Sequence, residues 1–426
     1  MSCNFIALRM NVRIFRIIYI ALLLQWSARL SAQILDSLIH TVQLYKQGWE
    51  TSPPVIFLGT NDRLVLAFDD FSPQVRNLWY SFEHCNHNWE TDDLSYSEFY
   101  DGFESNPITE YAFSVGTVVN YIHYQLTFPN ENCRIKTSGN YRIKVFEDNN
   151  PEKVLFTAQF YVVEPQANIE IQLLRPEIPR YLQRYQQYKI KLVPNCNDSH
   201  NLREEITTLI VQNLNPYTTQ KCYLSELREG KVLIYDDPDS NLFLAGNEFR
   251  YFDTKNFKAL TPRIQSTKYL NAYYEIYLTP EKWRHRARYS REIDMNGKFL
   301  IANQQGTNKD RDADYVMVHF TLPTPEPLME GQLYLIGGFN GWQCNQQSRL
   351  TYNLDEKAYK TSMLLKQGYY NYLIAYRTDN GQVNFSYAEG DHFETENDYY
   401  VFVYYHAYTA RYQRLIGYTM INSLQK

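Results

Sequence analysis

Proline and glycine are sparse in this chain, 17 of each among 426 residues, which excludes a collagen-like or low-complexity polymer. Cysteine is scarcer, at six. Cys3 falls in the first 32 residues, and the other five, Cys85, Cys133, Cys196, Cys222 and Cys344, are odd in number and widely spaced. That spacing excludes a disulfide framework or a cysteine-built zinc site as the basis of the fold; it leaves room for one or two bridges and assigns no partners. There is no excess of positive charge, the formal net charge being -5, so nothing sequence-wide could hold a phosphate backbone and nucleic acid is not an expected partner. Beyond residue 32 no apolar run approaches the roughly 18 residues a helical membrane span needs, so no transmembrane segment is expected in the mature chain.

What the chain has instead is aromatic residues, 38 Tyr and 23 Phe, which lean toward strands. Its first 32 residues form a separate unit. Arg9, Arg13 and Arg16 make a positive n-region, 17–24 an apolar h-region, and Leu30-Ser31-Ala32 a cleavage site before Gln33. This predicts a secretory signal peptide, with Met1 or Met10 as its start. The segment carries four arginines and no acid, so its removal takes the formal charge from -5 to -9.

Nearly every later hydrophobic segment is short, β-branched or aromatic, and closed by Asn, Asp, Gly or Pro, which predicts an all-β chain. Strands are expected at 63–68, 78–85, 121–128, 141–147 and 154–163, the last two forming a hairpin through Asp148-Asn149-Asn150-Pro151. A second set runs through 168–174, 188–192, 206–212, 231–235, 248–252 and 272–278. The stretch that follows is polar, with a basic-aromatic core, Trp283-Arg284-His285-Arg286-Ala287-Arg288-Tyr289, and one short strand at 298–302. The expectation is three consecutive immunoglobulin-like or early-set β-sandwich domains: residues 33–165, 166–280 and 315–426, with 281–314 as a linker carrying the basic-aromatic patch. Arg, Trp and Tyr are enriched at binding hot spots, which makes Trp283, Arg284, Arg286 and Tyr289 candidates for contact with a partner.

Local signals of catalysis are missing. There is no Walker loop, dinucleotide-binding glycine pattern, His-Glu-x-x-His pair or Gly-x-Ser-x-Gly elbow, so neither an enzyme nor a cofactor is expected. The acid pairs Asp69-Asp70 and Asp92-Asp93 are read as turn residues. His84-Cys85-Asn86-His87 has metal-ligand chemistry but continues a strand whose alternation sets His84 opposite Cys85. Asp310-Arg311-Asp312-Ala313-Asp314 starts like a calcium loop, yet Tyr315 stands where the turn glycine belongs and Val316 leads into a strand.

Two resemblances carry more. Leu333-Tyr334-Leu335-Ile336-Gly337-Gly338-Phe339-Asn340-Gly341-Trp342, followed by Gln367-Gly368-Tyr369-Tyr370-Asn371-Tyr372, is similar to the glycogen-binding early-set modules attached to sugar-active enzymes. Trp342 matches one sugar-stacking tryptophan of those modules. The second is replaced by Val383 and a binding lysine by Leu373, side chains that offer neither a ring face nor a cation. This resemblance implies, as an alternative, a secreted carbohydrate-binding protein acting through Trp342.

Across the mature chain, the stretches 43–49, 121–140, 243–253, 312–323 and 389–405, closed by Arg411-Tyr412-Gln413-Arg414-Leu415-Ile416-Gly417, resemble the type IX secretion system plug protein family of Bacteroidota. The resemblance implies a non-enzymatic periplasmic protein, peripheral to the outer membrane. It would dock on the giant translocon barrel, Sov or SprA, and block the periplasmic opening when no cargo moves. The aromatic segment with Asn397, Asp398, Tyr399, Tyr404 and Tyr405 joins the basic-aromatic patch as a candidate contact.

Overall fold

A computed structural model describes residues 32–196, 199–257, 261–270 and 272–425; the expected signal peptide, but for Ala32, lies outside them. The regular secondary structure of the described residues is almost wholly strand, as alternation and β-branching require. In the first sandwich one sheet runs Ala32–Ile34, Val154–Val163, Gly139–Glu147, Leu78–Cys85 and Asn106–Pro107, with Val55–Phe57 parallel to Val154–Val163. The facing sheet runs Ile39–Lys46, Leu64–Asp70, Ile122–Phe128 and Glu110–Phe113. Leu78, Tyr80 and Phe82 turn inward while Trp79, Ser81 and Glu83 stay half-buried, the period-2 pattern of a sheet with one dry face. Phe82, Phe128 and Phe160 pack ring to ring between the sheets, at centroid distances of 5.2–5.7 Å. The hairpin 139–147/154–163 forms as expected, with Asp148 and Asn149 in the left-handed conformation that its turn needs.

The other two sandwiches are not consecutive. In the middle one, Ala167–Leu174, Tyr185–Pro194, Val232–Tyr235 and Glu226–Arg228 form one sheet, with Leu242–Leu244 beside Tyr185–Pro194. The facing sheet runs Gln220–Lys221, Ile206–Gln212, Asp398–Tyr405 and Arg414–Asn422, so its last two strands come from the end of the chain. Strands at 250–253 and 273–278, expected in this unit, pair instead with Gly368–Arg377 and Tyr315–Pro323 in the third.

The third sandwich is a ten-stranded sheet whose residues Phe252, Leu335, Tyr372 and Ile374 meet Ile276, Val318 and Phe320 in one core. Tyr273–Leu278 lies parallel to Tyr315–Pro323. Parallel neighbours need a long crossover, and residues 279–314 supply it, with Phe299–Ile301 pairing on Gly368–Arg377 on the way. The expected linker is thus a crossover inside the third sandwich, and strand pairing overrides the division at 280, 314 and 426. No disulfide forms among the five described cysteines.

Asp398–Tyr405 shows why the chain returns. Tyr399, Val401, Val403 and Tyr405 face the middle core, while Tyr400, Phe402 and Tyr404 pack on Val55, Tyr161 and Val163 of the first sandwich. Every residue of the strand is buried. A chain ending at residue 395 is expected to lose the protease protection and near-ultraviolet circular dichroism of 166–245. Consecutive domains would leave that region folded.

Candidate functional site

The basic-aromatic segment begins at Glu281, whose carboxylate accepts from the Arg250 guanidinium and from the Tyr372 hydroxyl. Arg250 is only 2% exposed. Its Nε also donates to Glu389 Oε1 at 2.9 Å and its Nη2 to the Lys282 carbonyl at 2.7 Å. Burial alone would raise the Glu389 carboxyl, but Arg250 and Arg284 beside it hold it below the ordinary value. Arg284 donates from Nε to Glu389 Oε2 at 2.7 Å and from Nη2 to the Glu248 carbonyl, also at 2.7 Å. Trp283 Nε1 donates to Thr324 Oγ1 at 3.1 Å, and the Tyr289 hydroxyl donates to the Glu248 carboxylate and, at 3.2 Å, to the Glu394 carbonyl. Trp283, Arg284 and Tyr289 therefore fasten the segment down. Arg286, by contrast, is exposed to solvent.

The second candidate cluster is interior. Asn397 takes a hydrogen bond from Asn213 at 2.7 Å and gives one to the Ala245 carbonyl at 2.9 Å; Asp398 pairs with Lys298 at 3.0 Å. The Tyr399 hydroxyl donates to Gln186 at 2.6 Å, the Tyr404 hydroxyl to Asn140 at 2.9 Å, and the Tyr405 ring lies under Arg414 at 5.1 Å. All five residues are at most 4% exposed. They hold sandwiches together and have no face to offer. The signal was in the sequence: an unbroken apolar run without alternation marks a strand covered on both faces.

Trp342 is interior too, 3% exposed and edge-to-face with Phe249 at 5.9 Å. A pyranose needs a broad free ring face, and this ring has none. Trp342 borders a cleft of about 530 Å³ between the sandwiches, lined also by Gln43, Asn213, Phe339 and Gln343.

Two features were not singled out from the sequence. Asp69 and Asp70, read as turn acids, end a fully buried strand. Asp69 accepts from Lys366 Nζ at 2.7 Å and from the Tyr315 hydroxyl at 2.6 Å, and it pairs with His123 Nδ1 at 2.7 Å. Lys366 also lies 4.2 Å over the Tyr121 ring. Burial alone would raise the Asp69 carboxyl, yet Lys366 and His123 bring it below its ordinary value. Asp314 accepts the Val118 and Val119 amides at 2.7 and 3.1 Å, so this acid of the calcium-like stretch is spent on the first sandwich. The other feature is an uncovered edge. Tyr111 and Phe113 stand opposite Tyr124 and Ile122 on the core side of their sheet, yet are 48% and 56% exposed, because the facing sheet stops at Asn106–Pro107.

His84 and the buried cysteines are taken up by the core. His84 is buried with Nδ1 on Asp92 at 2.6 Å and Nε2 on the Ser138 carbonyl at 3.0 Å. The residue beside it in space is Gly139, whose positive φ and contact with the His84 ring leave no room for a Cβ. No group of three or more His, Cys, Asp or Glu side chains is placed to hold a metal among the described residues. Burial pushes the Cys85 and Cys222 thiols up to about 12, which keeps them protonated and inert.

Residues 39–164 match the family described as type 9 secretion system plug protein 1st domain, and these bounds follow the first sandwich. Among solved structures, a hypothetical protein from Parabacteroides merdae ATCC 43184 is similar over 93% of this chain and 100% of its own, with 29% identity and a TM-score of 0.88. The arrangement of sheets, with its returning terminus, is thus shared along the whole of that protein. Pseudomonas fluorescens alkylpurine DNA glycosylase AlkC, bound to DNA containing an abasic site analog, matches over 31% of this chain and 30% of its own. Its TM-score of 0.18 at 16% identity carries no argument. No curated protein matches the chain.

Lys366→Met leaves Asp69 buried without its cation and is expected to cost about 3–5 kcal/mol in urea unfolding. Trp342→Ala is expected to cost about 3–5 kcal/mol as a core truncation. Asp69 and Glu389 both have lowered carboxyl values, so their contribution is complete above the ordinary carboxylate value of about 4 and is lost as pH falls below it. Acid unfolding of the wild type should therefore set in below about pH 4, and the pH dependence of Lys366→Met should be flatter there.

Proposed function

We propose, from a first sandwich that belongs to the type 9 secretion system plug protein first-domain family, that this chain is a non-enzymatic plug of that system. It sits in the periplasm, binds the outer-membrane translocon barrel of the Sov/SprA type, and closes the periplasmic opening when no cargo is moving. The observation that carries the reading is the family match. Physics supports it through the seams: each sandwich is tied to the other two by polar pairs, the buried Asp69–Lys366 and Asn140–Tyr404 and the half-buried Asp398–Lys298. A stopper that must resist leakage has to keep its outline when loaded from one side. Paired buried charges and interlocked sheets give that resistance, because separating them strands ions in a dry seam. Release must still be achievable, so binding has to be outcompeted by cargo or by another subunit.

Tagged mature protein recovered from solubilised outer membranes should bring down one very large barrel. A strain lacking the protein should admit large solutes such as vancomycin across its outer membrane. Recovery of free protein alone, with normal permeability of the deletion strain, would remove the reading.

A further inference from the structure

The segment that follows Glu281 separates its side chains by direction. Glu281, Trp283, Arg284 and Tyr289 are bonded to the body of the third sandwich. Lys282, Arg286 and Arg288 are exposed, and among the described residues none of the three makes a side-chain hydrogen bond or an ion pair. No nearby acid is paired with them, the exposed Glu394 carboxylate beside Tyr289 included. Glu281 is committed to Arg250, Glu389 to Arg250 and Arg284, Glu292 to Arg263 at 2.8 Å, and Glu248 to Tyr289. The backbone is pinned as well, by Arg284 N–H on the Ala388 carbonyl at 2.9 Å and Ala287 N–H on the Arg284 carbonyl at 2.9 Å. An aromatic floor lies alongside, where Trp283 meets Tyr387 at 5.9 Å and Tyr387, 40% exposed, stacks on Tyr376 at 4.2 Å.

We propose that Lys282, Arg286 and Arg288, held out from this pinned segment, form a docking surface for a carboxylate-rich polypeptide segment of the plug's partner. The inference rests on the plug reading and adds to it the partner's chemistry and the place of contact. Charge complementarity carries it. Three cations without counter-ions, on a chain that is acidic overall, form a local field that an Asp/Glu cluster would satisfy. Two of the three are arginines, whose planar fork takes a carboxylate through two parallel hydrogen bonds. Tyr and Trp beside them supply rigid area at low entropic cost. A flat sheet of anionic headgroups would instead meet a broad face of a net acidic protein, and screening over about 8 Å keeps attraction local to the segment.

The test uses the mature wild type, Arg286→Glu/Arg288→Glu, Arg286→Lys/Arg288→Lys, and Arg228→Glu as a charge control on a distant exposed strand. Each is assayed for retention by solubilised outer membranes of a strain lacking the protein, and for binding a labelled poly-L-glutamate peptide. Arg286 and Arg288 make no bonds, and the Arg228–Glu226 pair that the control breaks is solvent-exposed and worth little, so the thermal melts of all variants should nearly coincide. The double Glu variant should lose about tenfold or more in both assays, the Lys variant should lose less, and Arg228→Glu should match the wild type. Wild-type binding should weaken between 50 and 300 mM salt, conditions set by the experimenter.

Barrel retention by the double Glu variant equal to wild type, with the same salt dependence, would overturn the inference and leave the plug reading standing. Failure of the wild type to retain any barrel would remove the plug reading, and the glutamate peptide would still decide the surface: no binding, or binding unchanged in the double Glu variant, overturns it. Stronger binding to vesicles of seven parts phosphatidylethanolamine to three parts phosphatidylglycerol than to the peptide, lost in the same variant, would also overturn it and assign the surface to lipid.

Discussion

Asp69 and Lys366 stand 297 residues apart in the chain and 2.7 Å apart in space, each about 1% exposed. An ion taken out of water is tolerated only beside its counter-ion, and these two ions lie on different sandwiches. The arrangement of the first and third sandwiches is fixed by that requirement. Tyr315 and His123 complete the carboxylate's hydrogen bonds, and the Tyr121 ring covers the ammonium. Once this seam closes, the crossover that ends at Tyr315 has one path, which sets Asp314 against the Val118 and Val119 amides. Burial draws Lys366 below its ordinary value even with Asp69 at hand, a measure of how dry the seam is.

The same economy appears at the Arg250 cluster. One guanidinium draws together the strand Arg250–Asp253, the start of the crossover at Glu281 and the short helix Ser386–Glu389. Because the crossover is bound at Glu281, Trp283, Arg284 and Tyr289, its intervening side chains are presented on a backbone that has already lost its freedom. A partner meeting them has little ordering left to oppose association.

The sequence showed local pairing well and distant pairing poorly. Leu78–Cys85 and Val154–Val163 form where alternation and β-branching set them, and the hairpin through Asp148 and Asn149 follows from turn chemistry. The all-β class was likewise legible, and the resemblance to plug proteins, read across the mature chain, is matched over residues 39–164. The return of 398–422 to the middle sandwich was not, since nothing local distinguishes a strand that pairs with its neighbour from one that pairs with residues 206–212. Surface and interior were confused for a related reason. Tyr and Arg serve both hot spots and dry seams, so Tyr399, Tyr404 and Arg284 read as contacts until their partners Gln186, Asn140 and Glu389 were seen. Arg286 is exposed, and no acid is paired with it.

The interleaved middle sandwich has a consequence in time. A polypeptide becomes available for folding from its amino end, and the first sandwich has all its strands by Val163, so it can close early. Ile206–Gln212 must wait with one flank open until Asp398–Tyr405 is made, nearly two hundred residues later. During that interval its unpaired edge is exposed to anything nearby. The last strands synthesised are therefore the ones that turn three partly formed units into a finished body, and a chain cut short by a few dozen residues is marked as defective by the edge it leaves open.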